Sequence, residues 1–154
     1  DEPQILCRGA EGGRAVSMRI YGRNPGGKSG KYFRASTWEW PPIHHLMQTL
    51  CADLLSQDLL REMTHNLRGA GPADATTCQD MANRFESWLA DHPEGHAVLP
   101  EHARIACHRT MRVLNAFHRS DIGVDLSDPH FCVDPDSLRA WTTFLRHCGG
   151  FRVE

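Results

Sequence analysis

AVSMRIYGRNPGGKSGKYFRASTWEWPPIHHLMQTLCADL, residues 15–54, changes its apolar period partway along, and that change predicts the fold class. From Ala15 to Tyr21, Val16, Met18 and Ile20 alternate with Ser17, Arg19 and Tyr21, the two-residue period of a half-buried strand. Nine turn-forming residues, Gly22 to Gly30, follow. Lys31 to Ser36 then alternates again, so the pair predicts a hairpin. Phe33 and Ala35 would join Val16, Met18 and Ile20 on the core face, leaving Arg19, Tyr21, Tyr32 and Arg34 on the other. Beyond Pro41 and Pro42, which suit the first turn of a helix, the period lengthens. Ile43, Leu46, Met47, Leu50, Cys51 and Leu54 recur at steps of three and four residues and make one apolar helical stripe.

The remaining chain extends this pattern. Ser56 predicts the cap of a helix to Arg68, with Leu59, Leu60, Met63 and Leu67 inward and Gly69 as its stop. Asp74 predicts the cap of another, with Cys78, Met81, Phe85, Trp88 and Leu89 inward, ending before Pro93. His92 to Pro100 is expected to be a loop and Glu101 to Arg119 a helix with Ala103, Cys107, Met111, Leu114 and Phe117 inward. Residues 121–133 read as irregular. Asp134-Pro135 opens a last helix through Leu138, Trp141, Leu145 and Cys148; Gly149-Gly150 stops it, and Phe151 to Val153 adds an edge strand to the hairpin. The expected architecture is α+β, with four or five helices packed on one face of a small antiparallel sheet. Residues 18–154 are expected to be a single globular domain, and residues 1–17, Gly- and Ala-rich without periodicity, a leader of uncertain origin.

At 154 residues, 40% hydrophobic and 23% charged, the chain has the composition of an ordinary folded domain. No apolar run approaches the roughly 18 residues of a membrane helix, so no membrane partner is expected. Six scattered cysteines with no C-x-x-C pair, four of them (Cys51, Cys78, Cys107 and Cys148) on apolar helical faces, read as reduced and mostly buried thiols. With no secretory signal at DEPQILC, the expected location is the cytoplasm. The net charge of −2 conceals segregation. Between Gly12 and Arg34 lie Arg14, Arg19, Arg23, Lys28, Lys31 and Arg34 with no acid, whereas residues 35–100 hold nine acids against three arginines. Either the acidic segment pairs with the basic one, or a basic surface is kept for an anionic partner.

The run KYFRASTWEWPPIHHLM, with the preceding MRIYGRNPGGKSG and the closing FLRHCGGF, resembles a group of small bacterial proteins that share a Y-F-R-x-x-x-W-x-W-x-P segment and an H-C-G-G turn. The likeness covers residues 18–68 and 136–151. It implies a bacterial cytoplasmic protein and brings no activity with it.

Gly22-Arg-Asn-Pro-Gly-Gly27-Lys28-Ser29 satisfies G-x-x-x-x-G-K-[ST], the expression for a phosphate-binding loop. That mechanism needs the lysine and serine to open a helix, and GKYFRAS continues as a strand instead, so a glycine-rich hairpin tip, anion-binding through its amides, is the better reading. The outer hairpin face is the stronger signal. Tyr21 and Tyr32 can stack bases while Arg19 and Arg34 neutralise phosphates, with Arg23, Lys28 and Lys31 extending the surface; the bland alternative is a solvated basic face. Arg104, His108, Arg112 and Arg119 would add a basic helical side. Ten histidines supply a second signal. His92, His96 and His102 lie close together among Asp91, Glu94 and Glu101, and neutral imidazoles at such spacing can hold a divalent metal, although Pro93 and Gly95 spoil any H-E-x-x-H helix. Trp38 and Trp40 are expected to close the end of the core. The leading reading is a non-catalytic binding module for nucleic acid or a phosphorylated ligand, with no cofactor. The alternative is a small metal-dependent hydrolase built on the histidine loop.

Overall fold

The computed structural model describes residues 18–36, 38–64, 69–93, 97–98 and 132–154. The elements in chain order are β1 (Met18–Gly22), β2 (Tyr32–Ala35), α1 (Trp40–Leu50), α2 (Gln57–Thr64), α3 (Ala75–Asp91), β3 (Ala97–Val98), β4 (Cys132–Val133), α4 (Pro135–His147) and β5 (Phe151–Val153). The α+β architecture is as expected: four helices among the described residues and a three-stranded antiparallel sheet in the order β2-β1-β5. The anticipated leader (1–17) and the anticipated helix from Glu101 to Arg119 lie outside the described residues.

The sheet buries the face its alternation marks. Ile20 and Ala35 are fully buried and Met18 and Phe33 partly so, while Arg19, Tyr32 and Arg34 stand in solvent. β5 repeats the pattern, with Phe151 and Val153 inward. Its far edge is covered by residues 70–72, since Val153 N–H donates to the Ala70 carbonyl at 2.8 Å and Phe151 N–H to that of Pro72 at 2.9 Å.

The helices start where their capping residues stand, because a side-chain oxygen satisfies an amide that the first turn leaves unpaired. Asp74 accepts from Thr77 N–H, Asp134 from Ser137 N–H, and Ser56 Oγ from Leu59 N–H. Before α1, Ser36 and Glu39 bond reciprocally, Glu39 N–H to Ser36 Oγ at 3.1 Å and Ser36 N–H to Glu39 Oε1 at 3.2 Å. That is the capping-box arrangement, whose signature is the S-x-x-E spacing of Ser36 and Glu39.

α1 ends at Leu50, earlier than its apolar stripe suggests. Arg84 on α3 donates to the Leu50 carbonyl at 2.9 Å and grips both oxygens of Asp53, so the chain turns there into the Ser56 cap. The guanidinium holds the Asp53 carboxyl below its ordinary range. The pair's support is therefore complete at neutral pH and fades as the pH falls through that lowered value, and its full exposure keeps it small. Ile43 and Met47 are fully buried, whereas Leu50 and Leu54 only pack against the core. Met47→Ala is expected to destabilise by about 2–5 kcal/mol and Leu50→Ala by clearly less, measured by guanidinium unfolding. The reverse order would place the core on the other edge of the stripe.

The expected loop at 92–100 and irregular stretch at 121–133 need correction. Ala97–Val98 and Cys132–Val133 pair as a second, two-stranded antiparallel sheet against α1. Two residues are too few to display an alternation. The cysteines also need correction. Cys51, Cys78 and Cys148 are free and buried as expected, but Cys132 is disulfide-bonded, a pairing that depends on distance in space and leaves no mark in scattered spacing.

Candidate functional site

The exposed sheet face is assembled by register. Gly22 N–H donates to the Lys31 carbonyl at 3.0 Å. Arg19–Arg34 and Tyr21–Tyr32 are consequently the non-hydrogen-bonded cross-strand pairs, whose side chains stand closest. The tyrosine rings lie 5.2 Å apart, tilted by 46°, and Tyr32 is 43% exposed. On the other side of β1, Arg152 stands opposite Tyr21 and its guanidinium carbon lies 5.3 Å from that ring's centroid. Its Nε also donates to Glu154 Oε1 at 2.7 Å. Two tyrosines flanked by three arginines thus occupy adjacent positions on three strands. Arg152 was missed in the sequence, although the alternation of Phe151 and Val153 would have directed it to this face once β5 was placed beside β1.

Like charges directly opposite each other in a sheet cost stability. Among the described residues neither Arg19 nor Arg34 pairs with a carboxylate: the ion pairs are Arg61–Asp58, Arg84–Asp53, Arg139–Asp136, Arg146–Glu86 and Arg152–Glu154. Among the described residues, no carboxylate of the acidic segment therefore neutralises Arg19 or Arg34.

The other anticipated residues divide. Arg23 leaves the face: its Nε donates to the Phe151 carbonyl at 3.0 Å and its Nη2 to that of Gly69 at 3.1 Å, which ties the loop to the C-terminal strand. Lys28 and Lys31 are exposed, Lys28 in a 3-10 turn, Lys28–Gly30, that packs on α4. The expected anion-binding tip is corrected in part. Arg23, Asn24 and Gly26 spend their N–H groups on the carbonyls of Gly150, Cys148 and His147, at 2.7, 3.1 and 2.8 Å. The end of α4 has carbonyls without intrahelical partners, and the loop supplies the donors. A loop so engaged cannot turn those amides toward a phosphate, and no helix opens at Lys28 beyond the three-residue turn.

His92 stacks on Trp88, ring centroids 4.4 Å apart, with Nδ1 2.9 Å from the Trp88 carbonyl oxygen. His96 and His102 lie outside the described residues. Among the described residues no three His, Cys, Asp or Glu side chains converge as a metal would require. Trp40 is buried as expected and donates through Nε1 to the Met63 carbonyl at 3.3 Å, whereas Trp38 is only half-buried. No described helix is long and apolar enough to cross a membrane.

Fold and face together define a small α+β protein with a tyrosine- and arginine-bearing sheet surface. No family model, no curated protein and no solved structure matches the chain.

Proposed function

We propose that the protein is a binding module whose outer sheet face takes an anionic partner, and that single-stranded nucleic acid suits the face best. The observation that carries this reading is the Arg19–Arg34 pair. Two cations opposed across the strands, without a described carboxylate partner, burden the fold, and an anion between them would relieve the burden. The adjacent Tyr21 and Tyr32 offer flat apolar surfaces with polar tips, on which bases of any sequence can stack. A phosphorylated small ligand is the runner-up, since it would use the arginines and leave the tyrosines idle. No described feature favours the metal-dependent hydrolase.

Titration of labelled single-stranded DNA and RNA at two salt concentrations tests the proposal. Arg19→Ala and Arg34→Ala are each expected to weaken binding and to lower the slope of log K against log salt by about 0.7, the counterion release of one single-strand phosphate. Tyr32→Ala should weaken binding by about 1–3 kcal/mol with little change in slope. Sensitivity to the arginines alone would point to a phosphorylated ligand. No binding by micromolar protein at low salt, or binding that ignores all these substitutions, would mean that the face is merely solvated.

A further inference from the structure

β5 brings a carboxylate to the exposed sheet face. Glu154 directly follows the strand, and its backbone pairs with Arg19 in both directions, Glu154 N–H to the Arg19 carbonyl at 2.7 Å and Arg19 N–H to the Glu154 carbonyl at 3.1 Å. With Val153 inward, Arg152 and Glu154 share the outer side. The side chains there fall into two rows that cross the three strands. One row is Tyr32, Tyr21 and Arg152; the other is Arg34, Arg19 and Glu154, two residues along each strand and about 7 Å away. Glu154 stands opposite Arg19, yet its Oε1 accepts from Arg152 Nε at 2.7 Å, and the Arg152 guanidinium carbon lies 5.3 Å from the Tyr21 ring centroid. Arg152 is thus neutralised and held against an aromatic ring, while Arg19 and Arg34 have no carboxylate partner among the described residues. An exposed ion pair adds little to stability, so what this one decides is where the charge of the face lies.

We propose that Glu154 sets the specificity of this face by withholding Arg152 from phosphate, so that single-stranded nucleic acid crosses the sheet with its bases along Tyr32, Tyr21 and Arg152 and its phosphates on Arg34 and Arg19. This division of the face rests on its reading as a nucleic-acid surface. A guanidinium plane takes a base by stacking much as a ring does, and pairing with Glu154 keeps the plane in place while cancelling its pull on a phosphate. The same carboxylate closes the charged row at β5, because a phosphate placed beyond Arg19 would meet a like charge. Glu154 is therefore a positioning residue that acts through Arg152, and the quantity it controls is the number of phosphates the face neutralises.

The test titrates the full chain with labelled single-stranded oligothymidylate over a range of salt. Glu154→Gln frees Arg152 for a further phosphate, so the slope of log K against log salt should steepen by about 0.7 and binding should tighten about fivefold at about 0.1 M salt. Adding Arg152→Ala to Glu154→Gln should abolish both gains. Asp58→Asn is the matched control: it raises the net charge equally and releases Arg61 on α2, and it should leave the slope unchanged. An unchanged slope in Glu154→Gln, with binding still weakened by Arg19→Ala and Arg34→Ala, would overturn the role of Glu154 and leave the nucleic-acid reading standing. A gain that survives the loss of Arg152, or an equal gain from Asp58→Asn, would reduce the effect to net charge and overturn it as well. No binding by any variant at low salt would overturn the role of Glu154 together with the reading of the face.

Discussion

Gly30→Ala is expected to destabilise the protein by about 3 kcal/mol or more, the upper end of what overpacking costs, because neither contacting surface can give way. Gly30 is buried, and a Cβ there would overlap the carbonyl carbon and oxygen of His147 and approach the His147 Cβ at 2.9 Å. The obstruction is backbone at the end of α4, already held by Gly26 N–H, so relief would require parting the loop from the helix and breaking its three bonds. Gly27 is the matched control. Its φ of 167° is extended backbone open to any residue, and nothing lies within 4 Å of an added Cβ. Gly27→Ala should therefore change stability by no more than about 0.5 kcal/mol. Urea unfolding of both variants decides the matter, and equal effects would show that the loop does not clasp α4.

Trp141→Ala should cost about 3–5 kcal/mol, the usual cost of emptying a core aromatic site. Its ring centroid lies within 5.1–6.3 Å of Phe33, Trp40, Phe85, Phe144 and Phe151, so β2, α1, α3 and β5 all meet α4 there. The rings of Trp40 and Phe85 meet it nearly edge-on, at 83° and 82°, a geometry aromatic quadrupoles favour. Trp141 Nε1 is buried without a hydrogen-bond partner among the described residues, and such an orphan donor costs about 1–3 kcal/mol. Trp141→Phe removes that donor and opens a smaller void. It should consequently cost well under half of what Trp141→Ala does, as calorimetry or guanidinium unfolding would show. Similar losses from both would mean that the indole nitrogen has a partner and holds the core through it.

The same contacts show why the clasp and the sheet face belong to one construction. The loop bonds the α4 terminus, Arg23 fastens it to β5, and β1 is thereby held between two strands with Arg19 and Tyr21 outward. On the proposed reading, a face fixed in this way would be pre-ordered for its ligand, which lowers the entropy lost on binding.

Local chemistry alone determined much of this protein. The alternation in residues 18–21 and 32–35 decided which side of the hairpin is buried, because strand side chains take opposite faces in turn. Asp74, Asp134 and Ser56 marked their helix starts because an N-cap acts within three residues of itself. Tertiary structure decided what depends on distant neighbours: the length of α1, cut at Leu50 by Arg84 from α3; the two-residue β3–β4 pair, too short to have a period; and the disulfide at Cys132. The candidate site divides along the same line. Arg19, Tyr21, Tyr32 and Arg34 were legible because two adjacent strands share a register, whereas Arg152 came to the face, Arg23 left it and the loop amides were consumed only because the C-terminal turn packs against a loop more than a hundred residues earlier in the chain. A period read along the chain reports which way a side chain points, and only the folded contacts report what it meets there.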